Sequence, residues 1–164
     1  MHPGIRIAAL AALIATTVVA SVATSYANLP PLAPTWIEPT NGAVVSPFDP
    51  HYNTFPFSDP DAGDHHLMSD FEVWDDSTNA RVWADLGEMD APVHVHNGDG
   101  TFEGPLTGET RLYSSWPYRV RARFRDDSGA PNDWGPWSAW IYFRTSAPTV
   151  IFPLQTEDIP ADSS

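Results

Sequence analysis

The sequence predicts an all-β chain, folded as an antiparallel β-sandwich. Three observations predict it. Apolar and polar residues alternate with period 2 in several short runs, the pattern of a strand with one buried face. Clusters of Gly, Pro, Asn and Asp break these runs about every 8–12 residues, the turn spacing of a sandwich. No stretch beyond the N-terminal apolar run has a helical 3.6-residue period.

Met1 to Ala27 reads as a secretory signal. Arg6 opens it, Ile7 to Ala23 is apolar or small, and Ser25-Tyr26-Ala27 or Ser21-Val22-Ala23 supplies a small-x-small cleavage site. An uncleaved membrane anchor is the alternative, but the run is short and rich in Ala and Thr rather than Leu. Residues 28–33 then form a stiff, proline-rich linker. The domain is expected over residues 34–145, and residues 146–164, with Glu157, Asp158 and Asp162 but no base, form an acidic tail or linker.

Within the domain, Pro34 to Pro39 is the first strand, with Trp36 facing inward, and Asn41-Gly42 is a turn. Ala43 to Ser46 continues the edge until Pro47 and Pro50 break it. Tyr52 to Phe57 follows, with Phe55 and Phe57 on one face. Ser58 to Met68 is a polar loop. Ser69 to Asp75 buries Phe71 and Val73 and turns Glu72 and Trp74 outward, and Ala80 to Asp85 buries Val82 and Ala84. Pro92 to His96 and Thr101 to Leu106 are expected to pair as a hairpin across Asn97-Gly98-Asp99-Gly100. Thr110 to Tyr113 is a short strand candidate.

The strongest pattern is Tyr118 to Arg144. Tyr118, Val120, Ala122 and Phe124 alternate with Arg119, Arg121, Arg123 and Arg125, so one face is apolar and the other carries four guanidiniums. Gly129, Pro131 and Asn132 provide a turn. Ala139, Ile141 and Phe143 then alternate with Trp140, Tyr142 and Arg144. Trp134, Trp137 and Trp140 recur every third residue around Gly135, Pro136 and Ser138, which in a polyproline-II segment puts the three indoles on one side. Guanidiniums slotted between indoles would make a cation–π ladder, worth about 0.5–2 kcal/mol per contact. Arg suits this better than Lys because its head is planar, and the chain has no lysine.

These residues also carry a family resemblance. Leu112, Tyr118, Val120 and Ala122 are similar to the L-x-x-x-x-x-Y-x-V-x-A signature of fibronectin type III domains. Trp137-Ser138-Ala139-Trp140 resembles the W-S-x-W box of the fibronectin-type domains of cytokine receptors. Thrombospondin type 1 repeats also have such a box, but they need cysteines. Pro39-Thr40-Asn41-Gly42 and the Asp59–Asp64 loop look like the variants found in bacterial secreted and surface proteins. The resemblance implies a fibronectin type III or immunoglobulin-like sandwich, with Leu112 and Tyr118 forming a corner before a central strand. The family carries a Trp in the strand that here holds Tyr52 to Phe57, and this chain does not. The fold hosts many roles, so function does not follow from it.

Composition bounds the function. The chain has 164 residues, 42% of them hydrophobic, which is enough for one cored domain. It has no cysteine, which excludes disulfides, thiolate metal sites and a Cys nucleophile. The net charge of −13 argues against nucleic acid and anionic membranes as partners. There is no G-x-S-x-G, H-E-x-x-H or Gly-rich phosphate loop, and no two carboxylates stand out as an acid–base pair.

Three weaker patterns remain. Asp59, Asp61 and Asp64 surround a glycine within six residues and could offer oxygens to Ca2+, with Asp70 or Asp75 and backbone carbonyls adding to them, although Asp-rich turns commonly cap their own backbone. His94 and His96 share one strand face and could hold Zn2+ or Cu2+ if a third ligand came from across the sheet; His65-His66 is a second pair. Trp74, Trp83, Trp116 and the Trp137–Trp140 box could stack on sugar rings, since indole faces match the apolar faces of pyranoses. The sequence thus reads as a secreted, extracellular or periplasmic, non-catalytic interaction or spacer module with a protein or polysaccharide partner; the resemblance implies adhesion or the support of a neighbouring domain. The alternative is a carbohydrate- or calcium-binding accessory module of a secreted enzyme. A small metalloenzyme using His94 and His96 is a third class.

Overall fold

The computed structural model describes residues 27–148. The expected signal, apart from Ala27, and the acidic tail beyond Pro148 lie outside the described residues. The strands are β1 (Trp36–Glu38), β2 (Ala43–Val45), β3 (Tyr52–Thr54), β4 (His66–Asp75), β5 (Ala80–Glu88), β6 (His94–Val95), β7 (Thr101–Phe102), β8 (Pro117–Asp126) and β9 (Ile141–Thr145). A single 3-10 turn, Gly104–Leu106, is the only helical element among the described residues. No helix among them is long and apolar enough to cross a membrane.

Two sheets face each other. One has three strands in the order β1-β3-β6, and the other has six in the order β2-β9-β8-β4-β5-β7. The centre is the β4–β8 antiparallel pair, in which Phe71 faces Ala122 and Val73 faces Val120. Their inner side chains join Tyr52, Val95, Trp83, Leu106, Leu112, Tyr118 and Phe143 in one buried cluster. Trp36 packs against that cluster, edge-on to Phe71 at 6.1 Å. Leu112 is buried ahead of β8, and the Tyr113 N–H donates to the Tyr118 hydroxyl at 2.9 Å, so the Leu–Tyr spacing does build a corner.

Several expectations are corrected. The Asn97–Gly100 turn does not close a hairpin. β6 pairs with β3 in one sheet and β7 with β5 in the other, so the turn carries the chain across the sandwich. The reason lies in Asn97, which is buried and accepts from the Tyr52 hydroxyl at 3.1 Å while its carbonyl accepts from the Trp83 indole at 3.0 Å. Gly100 passes so close that a Cβ there would sit 2.5 Å from the Trp83 ring. Ala43 to Ser46 likewise changes sheets. Asn41 and Gly42 bend the chain, with Gly42 at φ 83°, and β2 runs parallel to β9 rather than antiparallel.

The third strand stops at Thr54. Tyr52 and Thr54 face inward, and Phe55, 52% exposed, lies beyond the end of the strand. Ala139 is exposed, Ala84 is half-buried beside the buried Val82, and Thr110 to Tyr113 is loop. The residue 28–33 segment, expected as a stiff linker, lies against the domain. The Leu32 N–H donates to the Ser58 carbonyl at 2.9 Å, Asn132 donates to the Asn28 carbonyl at 2.5 Å, and Pro31 is buried against Gly135.

Candidate functional site

Period 2 places Met68, Asp70, Glu72 and Trp74 of β4 on the outer face, opposite Arg125, Arg123, Arg121 and Arg119 of β8. The Trp134–Trp140 segment lies along the other edge of β8. It is held by Gly135 N–H to the Phe124 carbonyl and Ser138 N–H to the Ala122 carbonyl, each 2.8 Å. The Ser138 hydroxyl accepts from the Ala122 N–H at 3.1 Å and the Trp36 indole at 3.0 Å.

This brings all seven predicted ladder residues together. Arg119 lies 4.6 Å from the Trp140 ring centroid, and Arg121 lies 4.6 Å from Trp140 and 4.2 Å from Trp137. Arg123 lies 4.6 Å from Trp137 and 4.4 Å from Trp134, and Arg125 closes the row at 5.9 Å from Trp134. Trp74 sits edge-on to Trp140 at 6.1 Å, within 5.8 Å of Arg119 and 5.9 Å of Arg121.

Sequence reasoning missed the carboxylates that neutralise the row. Arg121 donates twice to Glu72, at 2.9 and 2.7 Å, and Arg81 of β5 reaches the other Glu72 oxygen at 2.8 Å. Arg123 holds Asp70 at 2.6 and 2.8 Å, and Arg125 holds Asp133 at 2.7 and 2.9 Å. Arg119 reaches Asp76 at 3.4 Å. Asp70, Glu72 and Asp133 are buried beneath the heads that pair with them. Burial opposes ionisation of Glu72, but hydrogen bonds from Arg121, Arg81 and Trp74 together outweigh it and hold the carboxyl below its ordinary range. The signal that could have found these partners is the alternation of Asp70, Glu72 and Trp74, but only strand register shows which guanidinium each one meets.

The sugar-stacking candidates fare differently. Trp83 is wholly buried, beside Tyr52 at 5.1 Å, and offers no face to a ligand. Trp74 belongs to the ladder, its indole N–H on Glu72 at 3.1 Å. Trp116 is 37% exposed and donates to Asp75 at 3.0 Å.

The calcium candidates regroup. Asp59 and Asp64 converge with Asp126, each offering a carboxylate oxygen within 4.8 Å of the others. Asp61 instead accepts from the Leu29 N–H at 2.7 Å. Burial and the neighbouring Asp126 and Asp59 raise the Asp64 carboxyl above its usual value. One Asp59 oxygen is buried without a partner. Three carboxylate oxygens are half or less of the shell that Ca2+ takes.

His94 and His96 do find a third imidazole. His51, just ahead of β3, brings a ring nitrogen within 4.8 Å of theirs. His65 instead meets Asp127 at 3.2 Å, and His66 contacts the Ser69 hydroxyl at 2.9 Å. Asp85 of β5, 3% exposed, was also missed. Burial, then Glu88, Asp99 and Asp70, push its carboxyl up to about 7, and one of its oxygens has no partner.

No protein-family model matches the chain, and no curated protein matches it. Among solved structures, the chain is similar to α-L-rhamnosidase from Dictyoglumus thermophilum, with a TM-score of 0.51 and 14% identity. The likeness covers 73% of this chain but spans only 12% of the enzyme's chain, and it concerns the fold alone.

Proposed function

We propose that this chain is a secreted, non-catalytic accessory module, fibronectin type III-like, that stiffens and supports a neighbouring domain of a carbohydrate-active protein. The observation that carries this reading is the closed ladder. Trp134, Trp137 and Trp140 turn their faces to Arg119, Arg121, Arg123 and Arg125 of the same chain, and the guanidiniums are tied in turn to acidic side chains of the same surface. A sugar platform needs free indole faces, and a phosphate or carboxylate ligand needs free guanidiniums. This surface spends both on itself. Such a layer restricts side-chain motion and braces the sheet, which suits a spacer.

The likeness to a small part of a glycoside hydrolase supports the carbohydrate-active setting. Affinity electrophoresis through gels holding soluble polysaccharides, rhamnose-containing ones included, tests the role. Unretarded migration, with no hydrolysis of an aryl rhamnoside, is expected. Retardation that disappears in Trp116→Ala would make the chain a sugar binder instead, and hydrolysis would make it an enzyme.

A further inference from the structure

The outer face of the small sheet has no part in the ladder. Tyr52 of β3 and Val95 of β6 are register partners, and both point into the core. Alternation therefore turns their neighbours His51, His94 and His96 outward. Asn53 opposite His94, and Glu38 opposite Asn53, lie on the same face.

The three rings crowd one another. Their centroids are 5.0 Å apart for His51–His94, 4.5 Å for His51–His96 and 4.7 Å for His94–His96. Each offers one nitrogen within 4.8 Å of the other two. We propose that His51, His94 and His96 form a binding site for a divalent transition-metal cation of the Zn2+ class, with the fourth position open to solvent.

The surroundings fit this chemistry. A metal-ligating imidazole characteristically gives its other ring N–H to a carboxylate, which fixes the tautomer. Here His96 Nδ1 meets Asp49 at 2.9 Å, which leaves its Nε2 for an ion, and Glu38 stands 3.6 Å from His51 Nδ1. Zn–N bonds of about 2.0–2.1 Å ask the nitrogens to close to about 3.4 Å in a tetrahedron, a shift that side-chain rotation on an exposed face supplies. Three protonated rings this close would repel, whereas three neutral rings around one cation would not. Asp85, Glu88, Asp90 and Asp99 line the groove beside His94 and add negative potential. Imidazole donors without thiolate suit Zn2+, Cu2+ or Ni2+ rather than Ca2+ or Mg2+.

The test uses the full chain, purified without a histidine tag. Calorimetric titration with ZnCl2 near pH 7.5 should give one site per chain, and Co2+ should give the intense visible absorption of a four-coordinate ion. His51→Ala, His94→Ala or His96→Ala should each weaken Zn2+ binding by about 100-fold or more, and Asp49→Asn by about 10-fold. His65→Ala, whose ring pairs with Asp127, should change nothing. Melting curves of the ion-free variants should match the parent, because the rings lie on the surface. If one variant melts early, the other two and the Co2+ spectrum still decide. Absence of Zn2+ binding, binding undiminished by the three histidine variants, or binding abolished only by Asp64→Ala would overturn the assignment.

Discussion

Arg123 makes three kinds of contact with one side chain. It stacks between Trp134 and Trp137, forks onto Asp70, and by lying over that carboxylate keeps it from water. The head is itself about a third exposed, so the pair is only partly desolvated. Arg123→Ala removes the stacking and strands a buried charge, and should cost about 2–3 kcal/mol in urea unfolding. Arg123→Lys keeps the charge but loses the planar fork, and should cost about 1 kcal/mol. An unchanged midpoint in both would mean that the stack contributes nothing. The residues of the ladder were legible because two periods sit in plain view, Arg at every second residue and Trp at every third. The carboxylates were not, because Asp70 and Glu72 meet their guanidiniums only through the β4–β8 register.

Ser138 decides how the tryptophan element sits. Its hydroxyl accepts from the Ala122 N–H and the Trp36 indole, and its own N–H reaches the Ala122 carbonyl. Ser138→Ala leaves the buried Ala122 N–H and the half-buried Trp36 indole N–H without this partner and should cost about 1–3 kcal/mol. The fluorescence of Trp36 should shift as its indole N–H is released, and parental stability and spectrum together would remove the role given to this hydroxyl. Elements with strong alternation, β4 and β8, were readable in the sequence. The Asn97–Gly100 turn was misread because hairpin chemistry is local and says nothing of which sheet each arm joins. The buried bonds of Asn97 decide that. His51 escaped notice for a similar reason. It stands alone in sequence, and only the pairing of β3 with β6 gives it company.

At the scale of the molecule, two carboxyls pull stability in opposite directions with pH. Glu72 is held below its ordinary 4.5, so its stabilisation is complete above that value and is lost as pH falls through the depressed one. Asp85 is raised from 3.8 to about 7, so it is neutral without penalty in acid and costs stability as pH climbs between those values. Asp85→Asn should therefore raise the melting temperature at pH 8 and leave it nearly unchanged at pH 3.5. Equal melting of variant and parent at pH 8 would refute the penalty. The all-β sandwich was legible from turn spacing and alternation, while the exchange of β2, β6 and β7 between sheets was not, since it depends on contacts far apart in the chain. One geometric fact reaches further. Asn28 is tied to Asp126, where β8 finishes, and Ser146 is tied to Ser115, just before β8 starts. The two ends of the described chain thus leave from opposite poles, about 30 Å apart along a ten-residue strand. A pull between them would run lengthwise down the row of rings and charges. Every rung would resist it at once, like a keel taking strain along the hull rather than across it.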